Sequence, residues 1–347
     1  MVEFDRILLI QLRQLGDILL TTPAIRAVRR AFPRARIDFL THNMGRLILA
    51  RNPDLNQLWT YSEKDSLWRQ LTLLRQLSQA GYQLTIDFMY NPRSALMAWS
   101  TRAPRRLAFE SRRHWAYTDL VTPPAETDYI VREKLHLLAA MGIQGAGERL
   151  QLPWFEADAQ LIINWAKSHP EFAEAPIRVA VSATHRREER QWPVEWYAQI
   201  ADRLQQEWGA CIVWIWGPGE EEFVDSAMSF CSRSMLKAPA TSFAELAALL
   251  GNCDLFVGNS NGPSHVAVAN DTCSLQLHGP TLAKAWCPMN ERHMAIQARS
   301  MEDITVEQVW VKLRSLRPEV EKKSKARRAI GVRMNWQQAW DETVNPA

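Results

Sequence analysis

No stretch of this chain approaches the ~18 uninterrupted apolar residues that a membrane-spanning helix needs. Its first residues enter a strand-like run without a basic-then-apolar leader, so neither a spanning segment nor a signal peptide is expected. The five cysteines, Cys211, Cys231, Cys253, Cys273 and Cys287, are odd in number and nowhere form CxxC. Reduced, mostly buried thiols in the cytoplasm are expected rather than a disulfide framework. There is no GxGxxG after the first strand-like run, no GxxxxGK[ST] and no DxD pair. A nicotinamide dehydrogenase and a P-loop enzyme are thereby disfavoured, as is a divalent ion held on a diphosphate. His42, His114, His136, His169 and His293 have no partner spacing that suggests a metal, and neither metal nor resident cofactor is expected. Aromatic-basic interleaving is also missing, so nucleic acid is not expected as a partner.

What remains is an ordinary globular composition, 347 residues with 47% hydrophobic and 23% charged, long enough for two domains. The net charge of +3 is unevenly spread. Residues 1–150 hold 21 Lys and Arg against 14 Asp and Glu, and the remainder is acidic. The first half therefore suits an anionic partner, and its many arginines favour bidentate contacts to phosphate or carboxylate.

Strand-like runs at Ile7–Ile10, Arg36–Leu40 and Gln83–Phe88 alternate with helical patterns at about Thr22–Ala31, Gly45–Arg51, Ser66–Gln79 and Tyr129–Met141. A second series runs strand Arg178–Ser182, helix Val194–Trp208, strand Cys211–Trp216, helix Glu220–Phe230, helix Ser242–Leu250, strand Leu255–Gly258, helix Gly262–Ala269, strand Cys273–Leu277. Such alternation predicts parallel sheets covered by helices, here two doubly wound domains with a cleft between them. The expected division is an N-terminal domain at 1–155, a connection at 156–175, a C-terminal domain at 176–316 and a basic, Trp-bearing tail at 317–347. The run Glu321-Lys322-Lys323-Ser324-Lys325-Ala326-Arg327-Arg328 reads as a solvated basic helix, with contact to an anionic membrane surface as the sharper alternative.

Ligands of open parallel sheets bind outside the carboxyl ends of the strands, so the loops there carry the chemistry. Asp17 follows the first strand at Gly16-Asp17 and is the candidate catalytic base, the alternative being a helix cap. In the second half, Ser182-Ala183-Thr184-His185 with Arg186, Arg187 and Arg190 offers hydroxyl and basic groups to a diphosphate. Trp216-Gly217-Pro218-Gly219-Glu220 offers close backbone approach and an acid for ribose hydroxyls. Asn259-Ser260-Asn261-Gly262-Pro263-Ser264-His265 offers amides at a helix start. His278-Gly279-Pro280-Thr281 is a fourth such loop. Together they read as a nucleotide-sugar pocket.

Taken in order, GDILLTTPAIRAVRRAFP, Asp87 with Arg93-Ser94-Ala95-Leu96, Ala103-Pro104-Arg105-Arg106, Trp192-Pro193, Trp216-Gly217-Pro218-Gly219-Glu220-Glu221, Gly262-Pro263-Ser264-His265 and His278-Gly279-Pro280-Thr281 resemble the ADP-heptose:lipopolysaccharide heptosyltransferases, glycosyltransferase family nine. The resemblance covers about residues 5–315. It implies a GT-B architecture of two Rossmann-like domains facing across a cleft, and metal-independent, inverting heptose transfer from ADP-heptose to the lipopolysaccharide inner core. The site would be cytoplasmic, with contact to the inner face of the inner membrane. It also implies Asp17 as catalytic base, a nucleotide-sugar donor in the second domain and an anionic lipopolysaccharide-core acceptor in the first. Donor contacts would fall to Thr184, His185, Arg190, Gly217, Glu220, Asn261, Gly262 and His265, with Thr241 on the adenine side. Arg93, Arg105 and Arg106 are the acceptor-side candidates, with surface or structural ion pairing as the equal alternative. One position departs: the family pattern DTGxxH has an aspartate where this chain has Ser260, which loses a charge-assisted contact to the donor sugar. A transferase using another nucleotide sugar, a GT-B-type epimerase or hydrolase, and a non-catalytic sugar binder are the alternatives.

Overall fold

The computed structural model describes residues 3–126, 128–331 and 333, with Ile330 described in its backbone only. The chain divides into two compact units, Met1–Gln151 and Leu152–Ala347.

In the first unit, six parallel strands, β1 (Arg6–Ile10), β2 (Arg36–His42), β3 (Gln57–Tyr61), β4 (Leu84–Asp87), β5 (Arg105–Phe109) and β6 (Asp119–Val121), lie in the order β3-β2-β1-β4-β5-β6. The central strand β1 reads Ile7-Leu8-Leu9-Ile10 without alternation because helices cover both its faces, and all four residues are fully buried. The sequence reading found β1, β2 and β4. It missed β3, β5 and β6, whose half-exposed residues break the apolar run.

The second unit repeats the plan. Strands β7 (Ile177–Ser182), β8 (Ala210–Trp214), β9 (Leu236–Lys237), β10 (Leu255–Asn259), β11 (Cys273–His278) and β12 (His293–Gln297) lie in the order β12-β11-β10-β7-β8-β9, again all parallel. Each sheet therefore reverses its strand order once, between β1 and β4 in one unit and between β7 and β10 in the other.

Two expected boundaries change. Residues 156–175 fall within the second unit, where the Glu156–Lys167 helix packs against the Phe243–Gly251 helix. Just ahead of it, Trp154 is fully buried with its indole N–H on Asn270 Oδ1 at 2.8 Å. Nor does a tail begin at 317, because the Val306–Ile330 helix continues straight through Pro318. The basic run on it is not wholly solvated. Lys323 is buried and donates to the carbonyls of Asn270 and Asp271 at 3.2 and 2.8 Å. Arg327 reaches both carboxylate oxygens of Asp254 at 2.9 Å and the Ala175 carbonyl at 3.0 Å. Trp336 and Trp340 lie outside the described residues. No helix among the described residues is long and apolar enough to cross a membrane.

The Asp254–Arg327 pair is shielded from water on both sides, so removing one partner strands the other charge. Arg327→Met is expected to cost about 3–5 kcal/mol, read as a lower denaturant midpoint for the second unit. Asp254→Asn with Arg327→Met should recover part of that loss, since no charge is then left unpaired.

Candidate active site

Asp17 sits in the short Leu15–Leu19 helix that follows β1, at the carboxyl edge of the first sheet. It is half-buried, and its Oδ2 accepts the Gln14 N–H at 3.0 Å, the capping contact weighed from the sequence. Its carbonyl accepts from Thr21 Oγ1 at 2.7 Å and from Lys134 Nζ at 3.2 Å. Lys134, only 5% exposed, also donates to Gln11 Oε1 at 3.1 Å and Thr21 Oγ1 at 2.6 Å. Burial pushes its ammonium down to about 8, against the opposing pull of Asp17, Glu133 and Asp87. The sequence reading passed over Lys134. The signal was present: it lies on the apolar face of the Ile130–Ala139 helix with Val131, Leu137 and Leu138.

At the end of β4, Asp87 is fully buried and accepts from the amides of Met89 and Tyr90 at 2.9 and 3.0 Å and from the Tyr117 hydroxyl at 2.7 Å. Burial holds its carboxyl above the usual range. Its oxygens shape the turn into the Pro92–Ser100 helix. Arg93 begins that helix at the carboxyl edge, pairs with Glu63 at 2.8 Å and lies 5.0 Å from the Tyr61 ring centre.

Arg105 and Arg106 are placed elsewhere. They open β5, and Arg105 is in register with Leu84, itself beside Ile7, at the amino edge of the sheet. Arg105 Nε donates to Asp119 Oδ2 at 2.8 Å, and Arg106 donates to the carbonyls of Ala116 and Ala103 at 2.7 and 2.5 Å. Their guanidinium groups tie loops together at the edge remote from Asp17, which corrects the acceptor-side assignment in favour of the structural pairing weighed beside it. The loop that does leave the carboxyl end of β5 carries Arg112 and Arg113 instead.

In the second unit the donor-side residues converge. A cavity of about 260 Å³ at the carboxyl edge is lined by Thr184 and His185 after β7, Gly217 and Glu220 after β8, Thr241 after β9, and Asn261 and Gly262 after β10. Phe243 and Leu246 give it an apolar wall, and Trp216 is fixed beside them by its indole N–H on the Ala238 carbonyl at 2.9 Å. The loops are stitched by asparagines. Asn261 Nδ2 donates to Ser182 Oγ and to the Thr184 carbonyl, both at 3.0 Å, while its Oδ1 accepts the Ser264 N–H at 3.2 Å and caps the Gly262–Ala269 helix. Asn259, not singled out from the sequence, is fully buried. It accepts from Trp192 N–H at 3.1 Å and the Tyr197 hydroxyl at 2.9 Å, and donates to the Ala183 carbonyl at 2.8 Å. Beside it, a Cβ on Gly258 would come within 2.7 Å of the Ser182 carbonyl, so only glycine lets β10 lie this close to β7. Glu220 Oε2 accepts the Gly217 N–H at 2.9 Å, closing its own turn at the cavity rim.

Arg190, Ser260 and His265 do not line that cavity. Ser260 is half-buried, and its N–H meets the Leu277 carbonyl at 3.1 Å. His265 is buried 6.1 Å from Trp286, and His278 is 1% exposed at the end of β11. Burial pushes the two rings down to about 4 and about 3, so both are neutral. Among the described residues, neither His278 nitrogen has a hydrogen-bond partner, nor do His265 Nδ1 and Arg190 Nε. His265 and Arg190 are the titratable groups that bear on His278, which gathers these residues near the ends of β10 and β11.

The profile of glycosyltransferase family 9 (heptosyltransferase) matches residues 70–310. The chain belongs to glycosyltransferase family 9. Lipopolysaccharide heptosyltransferase 3 of Escherichia coli strain K12 is 28% identical over 296 residues, 81% of this chain and 84% of that one. Among solved structures, the family 9 glycosyl transferase from Veillonella parvula DSM 2008 superposes with a TM-score of 0.81 at 20% identity, covering 92% of this chain and 98% of that one. The Escherichia coli ADP-heptose lps heptosyltransferase II superposes at 0.73 and 19% identity, covering 92% and 99%. The chain is a glycosyltransferase, and its two Rossmann-like units are those of the expected GT-B class.

The buried ammonium of Lys134 gives a measurable signature. In the folded chain it binds its proton less tightly than an unfolded lysine does. Between pH of about 8 and the ordinary lysine range the unfolded chain then carries more protons, so stability rises with pH there. Lys134→Met should flatten that rise by up to about 1.4 kcal/mol per pH unit, seen by comparing denaturant midpoints of the two proteins at several pH values. Equal slopes would mean the amine titrates normally.

Proposed function

We propose that this glycosyltransferase moves heptose from ADP-heptose to the lipopolysaccharide inner core in one inverting displacement, without a metal ion. The observation that carries the reading is the convergence of Thr184, Glu220, Thr241, Asn261 and Gly262 on one cavity of the second unit, with an acid, Asp17, at the equivalent strand edge of the first. The similarity to heptosyltransferases named for ADP-heptose and lipopolysaccharide supports the choice of substrates. The apolar wall of Phe243 and Leu246 suits a nucleobase near Thr241, and Glu220 lies where ribose hydroxyls would be held. The Gly262–Ala269 helix start, which brings Gly262 to the cavity, suits a diphosphate. Such a reaction would take place at the cytoplasmic face of the inner membrane.

In this mechanism an acceptor hydroxyl oxygen attacks the anomeric carbon as the bond to the diphosphate oxygen breaks. Asp17 takes the hydroxyl proton, and ADP departs with the bonding pair. Thr184, Arg190 and the helix start oppose the charge growing on the leaving diphosphate. A carboxylate is a far weaker base than an alkoxide, so it cannot strip the free hydroxyl beforehand. Proton transfer therefore comes late, when the new C–O bond is largely formed and the hydroxyl has become acidic.

Asp17→Asn should lower kcat by roughly 10²–10⁴-fold while leaving the KM for donor within a few-fold. Near-normal turnover by a folded Asp17→Asn protein would sink the base assignment. Ser260 favours one second reading, a different donor sugar. Thermal-shift titration with ADP, ADP-heptose, UDP-sugars and GDP-sugars separates the two. Stabilisation by adenine nucleotides is expected, and stabilisation only by UDP- or GDP-linked sugars would overturn the donor.

A further inference from the structure

The Leu67–Gln79 helix buries Leu73 and Leu77 but leaves large apolar side chains on its outer side. Trp68 is 81% exposed, Leu67 77% and Leu71 more than half. The neighbouring Pro92–Ser100 helix does the same with Leu96 and Trp99, and Trp99 meets the exposed Trp115 edge-on with ring centres 6.3 Å apart. The two helices touch and bury Leu73, Leu77, Ala95 and Ala98 in one core cluster. Their outer sides therefore share one face of the first unit. Large exposed apolar patches mark contact sites rather than ordinary surface.

The charges around this face select the partner. Lys64, Arg75, Arg102 and Arg112 are exposed there and have no ion-pair partner among the described residues. The nearby acids are already answered: Glu63 pairs with Arg13 and Arg93, and Asp65 with Arg69. Tryptophan and leucine beside free cations match the headgroup layer of an anionic bilayer, where indoles settle at the interface and basic side chains meet lipid phosphate. We propose that this face, and not the basic C-terminal helix, docks the enzyme on an anionic lipid surface. The choice of lipid rests on the reading that the acceptor is lipid-anchored. Trp68 lies at the start of a helix that leaves the carboxyl end of β3, the same sheet edge as Asp17, so docking would bring the acceptor-activating edge to the membrane.

The test is flotation of the full-length protein with vesicles of phosphatidylcholine alone or with phosphatidylglycerol, with no donor or acceptor present. Success or failure of heptose transfer therefore does not bear on its outcome. Binding to the phosphatidylglycerol vesicles that weakens with salt is expected. Trp68→Ser with Leu71→Ser should lower partitioning by about tenfold or more, with native circular dichroism and unchanged turnover on a water-soluble acceptor. Trp336→Ser with Trp340→Ser should leave it intact. Unchanged partitioning of the Trp68/Leu71 variant, or loss confined to the Trp336/Trp340 variant, would overturn the assignment. So would sedimentation showing that the wild type self-associates through Trp68 and Leu71, because the occupant would then be a second copy.

Discussion

A parallel sheet leaves an opening only where its strand order reverses, because there the chain leaves neighbouring strand ends in opposite directions and the loops part. Both sheets obey this constraint. In the second unit the reversal lies between β7 and β10, and the cavity forms where the loops after those strands separate. It also explains the asparagines. Loops that part must still be held in register, and Asn259 and Asn261 do so by spanning from the end of β10 to the backbone after β7. Gly258 permits the close approach that makes those spans short enough. In the first unit the same reversal lies between β1 and β4, which puts Asp17 and Asp87 on adjacent strand ends. Their burial then separates their roles. Asp87 is enclosed and satisfied by two amides and a phenol, whereas Asp17 keeps part of its surface open.

Buried cations recur as fasteners in both units. Lys134 collects oxygens from Gln11, Asp17 and Thr21, and Lys323 collects the carbonyls at the end of the Gly262–Ala269 helix. A buried ammonium is costly unless its donors are used. It therefore fixes the segments that supply the oxygens more firmly than an apolar contact of similar area would. Under Asp17 this has a chemical consequence. The fastener bonds the backbone of the acid and not its carboxylate, so it adds positive potential while leaving the Oδ atoms to the Gln14 cap and to solvent.

Much of this was legible before any coordinates. Fully buried strands such as β1, β7 and β10 announce themselves as apolar runs, and the loops behind them hold the Gly, Asn, Ser and Thr that a ligand edge needs. Thr184, Glu220 and Asn261, which the structure brings to one cavity, were read this way, whereas Thr241 came only from the family resemblance. Strands β3, β5 and β6 were not legible, because β3 and β6 are half-exposed and β5 opens on two arginines. Arg105 and Arg106 were placed by resemblance rather than by a strand reading, and they open β5 at its amino end. The basic run after Pro318 was misread for a different reason. Composition signals solvation, but Lys323 and Arg327 fall one helical turn apart on the face that meets Asn270, Asp271 and Asp254. Periodicity on that helix was the better guide than charge.

Ser260 is better understood from its neighbour than alone. Ser260 and His278 sit at adjacent strand ends, joined through the Ser260 N–H on the Leu277 carbonyl. A carboxylate at position 260 would raise the proton affinity of imidazoles nearby, since an opposite charge within a few ångströms favours the charged form. With serine there, burial wins and both His265 and His278 stay neutral. A neutral imidazole has one donor and one acceptor nitrogen. This strand end thus holds both donors and acceptors, from the Ser260 hydroxyl and two neutral rings, without a net negative charge.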